Sequence, residues 1–277
     1  VSHYVKIFRT LKAQPPDVIF LFHVNDPFVY CLAYLVCPGN LIGFKSDNPF
    51  SFLLSTTIAQ DDHKHMILNY LNLTARIGAQ TDNLKMNFEL DPGVISSGRK
   101  FFSSPEIFPY TVGFQLGSGD KRRCWPKDHY VKLGLRMLNE LQARIILLGS
   151  PKEKDLVREI NTALNGRAVE GITDLLTAAG IIQNLDLLVT PDTGPMHMAL
   201  ALNTPTVALY GPSHPKNFGP LDNSGKNIVI HKAPIDQPYV KLSGDFPEVM
   251  DQISPEEVFQ AARTLLEEGV RETRQSI

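Results

Sequence analysis

The 277-residue chain is 43% hydrophobic and 20% charged, with a formal net charge of −2, the make-up of an ordinary globular protein long enough for two domains. That balance leaves no basic footprint for nucleic acid. Three cysteines, Cys31, Cys37 and Cys124, are odd in number and lack CxxC spacing, which argues against a disulfide framework or structural zinc and for a reducing compartment. The longest apolar run, Pro27 to Cys37, is too short for a bilayer span of ~20 residues. No secretory pattern opens the chain, which starts at Val1 without Met and enters a helical pattern at once, so an absent upstream segment is expected.

In chain order, Val5–Leu11 reads as a helix, Asp17–Phe22 ("DVIFLF") as a buried strand, Pro27–Val36 as an apolar helix and Leu41–Phe44 as a short strand. His63–Ile77 has helical spacing. Residues 89–109, rich in Gly, Ser and Pro, show no periodicity and read as a linker or hinge. Alternation then restarts: strand Thr111–Leu116, helix Lys127–Leu141, strand Arg144–Leu148, and helices Lys152–Leu164 and Asp174–Gln183. Strand Leu187–Pro191, helix Gly194–Asn203 and strand Thr206–Tyr210 come next. A last helix opens at Ser254-Pro255, with Glu257 completing a capping box. Strands alternating with helices imply parallel sheets with right-handed crossovers. The expected fold is α/β, with two Rossmann-like domains, 1–105 and 106–277, and a cleft between them. The basic amphipathic helix that would mark a membrane-surface protein is not evident.

Four segments concentrate polar residues where strands end and helices begin, the ligand-binding edge of open α/β sheets. In "FQLGSGDKRRCWP" (114–126), small residues let backbone N–H groups approach an anion, and Arg122 or Arg123 offers a fork for phosphate. It has no Walker A spacing, and a solvated basic loop explains it equally well. In "LLGSPKEKDL" (147–156), Glu153 suits either the helix dipole or a ribose diol. Thr173, before "DLL", suits an N-cap as well as a ligand. In "PDTGPMHMALALNTPTVALYGPSHP" (191–215), Asp192, Thr193 and Gly194 crowd a helix N-terminus fit for a diphosphate, with His197 a turn inside. The charge of Asp192 would repel phosphate, so a sugar hydroxyl is its expected partner. Met196 and Met198 read as core. No metal-ligand spacing and no nucleophile–base signature is present.

Taken together the segments resemble the bacterial lipopolysaccharide heptosyltransferases. The last is similar to that family's D-[ST]-G-x-x-H-x-A-x-A-L followed by [YF]-G-P-T-x-P, and the other three occur in its order and spacing. "DVIFLFHVNDPFVYCLAYLVCPGNLIGF" resembles part of its first domain. The resemblance implies a GT-B fold and inverting, metal-independent transfer of a sugar, heptose from an ADP-heptose-like donor, to a lipopolysaccharide core acceptor, with no cofactor. Ser118 and Arg123 then fall at the donor diphosphate, Glu153 and Thr173 near the nucleoside, and Asp192, Thr193, Gly194 and His197 at the diphosphate–sugar end. His197 and Arg123 become the catalytic candidates, stabilising the leaving group, and His23 and Asp26 the acceptor-side candidates. The implied setting is the bacterial cytoplasm, with the inner membrane met through a lipid-linked acceptor. Two departures stand out: Arg123 replaces the family's Lys, and Pro151 stands where some members carry the acidic residue assigned here to Glu153. The family's opening strand and its Asp-bearing loop, the expected general base, have no counterpart, so ~60–80 residues are expected to be missing, judged by βαβ lengths. A nucleotide-sugar-binding module with impaired catalysis is the alternative, and an epimerase of similar architecture lacks distinct support.

Overall fold

The computed structural model describes residues 2–22, 26–221, 225–232 and 249–275, in two compact units, Val1–Asn83 and Leu84–Ile277. The first contains α1 (Ser2–Ala13), β1 (Ile19–Leu21), α2 (Pro27–Val36), β2 (Leu41–Phe44), β3 (Thr56–Ile58) and α3 (Met66–Thr74). Its strands form a parallel sheet in the order β1-β2-β3, and α2 supplies the crossover that parallel neighbours require. Asp26 starts α2 by accepting the Phe28 N–H at 2.9 Å, with Pro27 in the first turn. Tyr30, Ala33 and Val36 of α2 then pack with Leu41 of β2 and with Phe8 and Leu11 of α1. The three-residue β3, Thr-Thr-Ile, has no apolar run to announce it.

The second unit holds α4 (Pro92–Arg99), β4 (Thr111–Gln115), α5 (Lys127–Glu140), β5 (Arg144–Gly149), α6 (Lys154–Ala163), β6 (Ala168–Ile172), α7 (Leu175–Ile182), β7 (Leu187–Pro191), α8 (Gly194–Leu202), β8 (Thr206–Tyr210), α9 (Pro215–Phe218), β9 (Asn227–His231) and α10 (Pro255–Gln275). Its six strands are all parallel, in the order β6-β5-β4-β7-β8-β9. Counted within the unit, that is the doubly wound order 3-2-1-4-5-6. Both faces are covered, so β5 is buried throughout: Ile145 and Leu147 join the core beneath α5 and α10, while Ile146 and Leu148 join the one beneath α7 and α8. Each such side chain contributes ~1.5–3 kcal/mol of burial. The capping box of α10 is present, with Ser254 Oγ accepting the Glu257 N–H and Glu257 Oε2 accepting the Ser254 N–H.

Residues 89–109, expected to be a linker, contain α4, and the boundary between the units lies at Asn83–Leu84 rather than near residue 105. Glycine makes the difference. A Cβ on Gly98 would lie 2.1 Å from the Gly180 carbonyl carbon, so α4 and α7 touch backbone to backbone. The half-polar stretch conceals this contact, because the closest approach is made by glycine backbone rather than by an apolar side chain. Arg144 secures the chain just after α4, donating to the carbonyls of Phe101 and Phe102 at 2.8 and 2.6 Å. Strands β6 and β9 were also not expected. Each lies at a sheet edge and is half exposed, and so lacks a continuous apolar run.

Candidate functional site

Strand order reverses between β4 and β7, and the crevice at their carboxyl ends is where an open α/β sheet takes its ligand. The loop leaving β4 carries Gly117, Ser118 and the basic trio, and the turn leaving β7 carries Asp192, Thr193 and Gly194. The trio divides its work. Arg122 folds back on Asp120, with Nε donating to Oδ1 at 3.0 Å and to Oδ2 at 3.1 Å and Nη2 to Oδ2 at 2.7 Å, holding that carboxyl down at about 2. Arg123 instead crosses the crevice: its Nη1 donates to the Asp192 carbonyl at 3.1 Å and lies 3.2 Å from Asp192 Oδ2.

Asp192 is buried and lies between Arg123 and His197, whose Nε2 is 3.8 Å from Oδ1. The expected repulsion between Asp192 and a phosphate is thereby compensated, because the guanidinium neutralises the carboxylate beside which the phosphate would lie. Burial pushes the His197 imidazole below its ordinary pKa; Asp192 opposes that shift and Arg123 adds to it. The ring is therefore neutral at pH 7, with one N–H to donate.

Thr193 stands at the N-cap of α8 but does not cap it with its side chain. Its hydroxyl donates to the Pro191 carbonyl at 3.3 Å, and its own carbonyl accepts the Met196 and His197 N–H groups. Gly194 is exposed, and a Cβ there would meet nothing within 4 Å. The positive end of α8 thus opens on unfilled space beside Arg123.

Glu153 closes the turn Pro151–Glu153 that follows β5. Its Oε2 accepts the Ser150 N–H at 2.6 Å, closing a capping box. Its other oxygen lies 1.1 Å from where a Cβ on Gly117 would be. Glycine at 117 therefore makes room for the carboxylate. Thr173 comes after β6, tied by its N–H to the Gly149 carbonyl at 3.2 Å. The capping role open to it belongs instead to Asp174, which accepts the Thr177 N–H at 2.9 Å. Ser118 Oγ accepts the Asp120 N–H at 3.2 Å and shapes the loop.

Of the acceptor-side candidates, Asp26 is engaged locally, by the Phe28 N–H and by the Tyr4 hydroxyl at 3.1 Å; His23 lies outside the described residues. Supporting contacts were not legible in the sequence. Gln115 Nε2 donates to the Gly117 carbonyl, Tyr130 donates to the Gln115 carbonyl at 2.6 Å, and Trp125 Nε1 donates to the Ile253 carbonyl at 2.9 Å. Tyr210, its hydroxyl driven up by burial, donates to the Phe218 carbonyl. His214 caps α9 by accepting the Lys216 N–H, which accounts for the His in "GPSHP". The Gln115 and His214 bonds are local, each reaching a residue two positions on, whereas the carbonyl partners of Tyr130 and Trp125 are set by tertiary structure. Among the described residues no three His, Cys, Asp or Glu side chains gather as a metal-ligating group, and no helix is long and apolar enough to cross a membrane.

Residues 5–240 match the model of glycosyltransferase family 9 (heptosyltransferase). This chain belongs to that family. The family 9 chain is 35% identical to lipopolysaccharide heptosyltransferase 2 of Salmonella typhimurium over 57% of its own length and 48% of that protein. It therefore spans about half the length of that curated relative. It is 32% identical to lipooligosaccharide heptosyltransferase 2 of Haemophilus influenzae, over 81% of this chain and 69% of that one. Its structure is similar to that of the E. coli ADP-heptose lipopolysaccharide heptosyltransferase II, with a TM-score of 0.77 at 25% identity, covering 97% of this chain and 82% of that one. The parallel α/β architecture is thus that of family 9.

Proposed function

We propose that the chain belongs to an inverting heptosyltransferase, with its second unit binding the nucleotide-sugar donor. The observation that carries this reading is the convergence of Arg123, Asp192, His197 and the open end of α8 on one crevice in a family 9 chain. The donor is ADP-heptose, in keeping with the donor named for the E. coli relative, and the acceptor is a lipopolysaccharide core. An acceptor hydroxyl attacks the anomeric carbon and gives its proton to a general base, while the bond to the diphosphate breaks and the electron pair leaves with it. Arg123 and the α8 N-terminus meet the growing negative charge, and neutral His197 donates to it. Because the protein supplies this positive charge, the reading calls for no metal or cofactor.

Calorimetric titration with ADP, UDP, GDP and CDP, beside Arg123→Ala, tests it. Selective ADP binding that is lost in the variant supports the reading. A preference for UDP would keep the glycosyltransferase and discard the heptose donor, and no binding by folded protein would overturn the donor site.

A further inference from the structure

Strand β4 ends on a buried amide. Val112, Phe114 and Leu116 belong to the core beneath α5 and α10, so Gln115 leaves the strand on the opposite face, the one on which a Cβ at Gly113 would meet Leu185 and Leu188. It stands one residue past the last pair between β4 and β7, Phe114 with Val189, at the floor of the crevice where the two strands part. There it is only 7% exposed. A buried amide costs free energy unless its groups are bonded, and an apolar side chain would end the strand without that cost. Its role is therefore to be read from the partners it takes.

Those partners converge on the next turn. Gln115 Nε2 donates to the Gly117 carbonyl at 3.1 Å, and the Gln115 main-chain carbonyl is itself fixed by the Tyr130 hydroxyl at 2.6 Å. The Ser118 N–H, at the other end of the same peptide group, points at the Cys124 sulfur. A peptide group is planar and trans, so holding its carbonyl and its N–H sets the plane of 117–118 and the place of Ser118. Glycine has no side chain with which to limit that plane by itself. Ser118 Oγ in turn accepts the Asp120 N–H, which leaves its O–H to give.

We propose that Gln115 is a positioning residue, fixing the Gly117–Ser118 peptide and so aiming the Ser118 O–H at the donor diphosphate. This rests on the donor reading above and adds to it a residue that acts from beneath the crevice. Without the amide the glycine peptide is free to turn. Its carbonyl oxygen could then face the phosphate oxygens, acceptor against acceptor.

The test is titration calorimetry of the full chain with ADP in Gln115→Met, Ser118→Ala and the double variant. Methionine keeps the length of glutamine and gives up the donor. Each single variant should bind ADP ~10-fold more weakly, the worth of about one charge-assisted hydrogen bond. The double variant should also lose ~10-fold rather than ~100-fold, because a residue that acts through Ser118 has nothing left to position once that hydroxyl is gone. A merely structural role would lower the urea midpoint without this coupling. Gln115→Glu, which sets an acceptor against the Gly117 carbonyl, should bind ADP more weakly than Gln115→Met. Parent-like affinity in Gln115→Met, or losses that multiply in the double variant, would overturn the proposal and leave the donor site standing. Failure of the folded parent to bind ADP would overturn the donor reading, and this proposal with it.

Discussion

Through one nitrogen, Nη1, Arg123 engages both the carboxylate and the main-chain carbonyl of Asp192, at 3.2 and 3.1 Å. It thereby joins the loop after β4 to the end of β7 at the point where strand order reverses. A guanidinium has five N–H donors, more than these bonds use, so the same side chain can hold the crevice together and still reach a diphosphate. Lysine offers no planar fork. Arg123→Lys should therefore weaken ADP binding by ~10-fold, the worth of about one charge-assisted hydrogen bond. Titration calorimetry checks this, and parent-like affinity would show that a single positive charge suffices.

Gly117 and Glu153 occupy one another's space. In Gly117→Ala the new methyl takes the position of a carboxylate oxygen, so Glu153 has to swing away and the Ser150 N–H loses its acceptor. If Glu153 holds the ribose, ADP should bind ~10-fold more weakly to this variant while inorganic pyrophosphate binds as before. Equal weakening of both ligands would assign the carboxylate to shaping the diphosphate loop instead.

Burial lowers the His197 pKa from its ordinary 6.5. The unfolded chain then binds the proton more readily, so the contribution of His197 to stability is intact above pH 6.5 and declines as pH falls from there through the lower native value. Denaturant melts between pH 7.5 and 5 should show this decline in the parent and a shallower one in His197→Ala. As a donor to the leaving group, His197 should contribute ~10²-fold to kcat. In a pH–rate profile its titration should appear below 6.5. An unchanged kcat in His197→Ala would remove it from the chemistry.

Gly180 touches α4 at the Val94 carbonyl, which a Cβ would approach to 2.3 Å. Backbone cannot yield as a flexible side chain does. Gly180→Ala should therefore destabilise the second unit by ~1–3 kcal/mol, read as a lower urea midpoint, and expose α4 to early proteolysis. A Ser at a neighbouring exposed site, as in Leu176→Ser, should leave both unchanged.

Chain pattern alone determined the central strands, because β4, β5, β7 and β8 are buried on both faces and have to be continuous apolar runs. It also determined the Ser254–Glu257 cap, which is a local matter of spacing, and the segments from which the site is drawn, because glycine, proline and polar residues collect where strands end. Tertiary structure decided the rest. Strands β3, β6 and β9 are too short or too exposed to announce themselves. Helix α4 is held by glycine against glycine, a contact with no side chain to read. Arg123, not Arg122, crosses to Asp192, since Asp120 two residues away claims its neighbour.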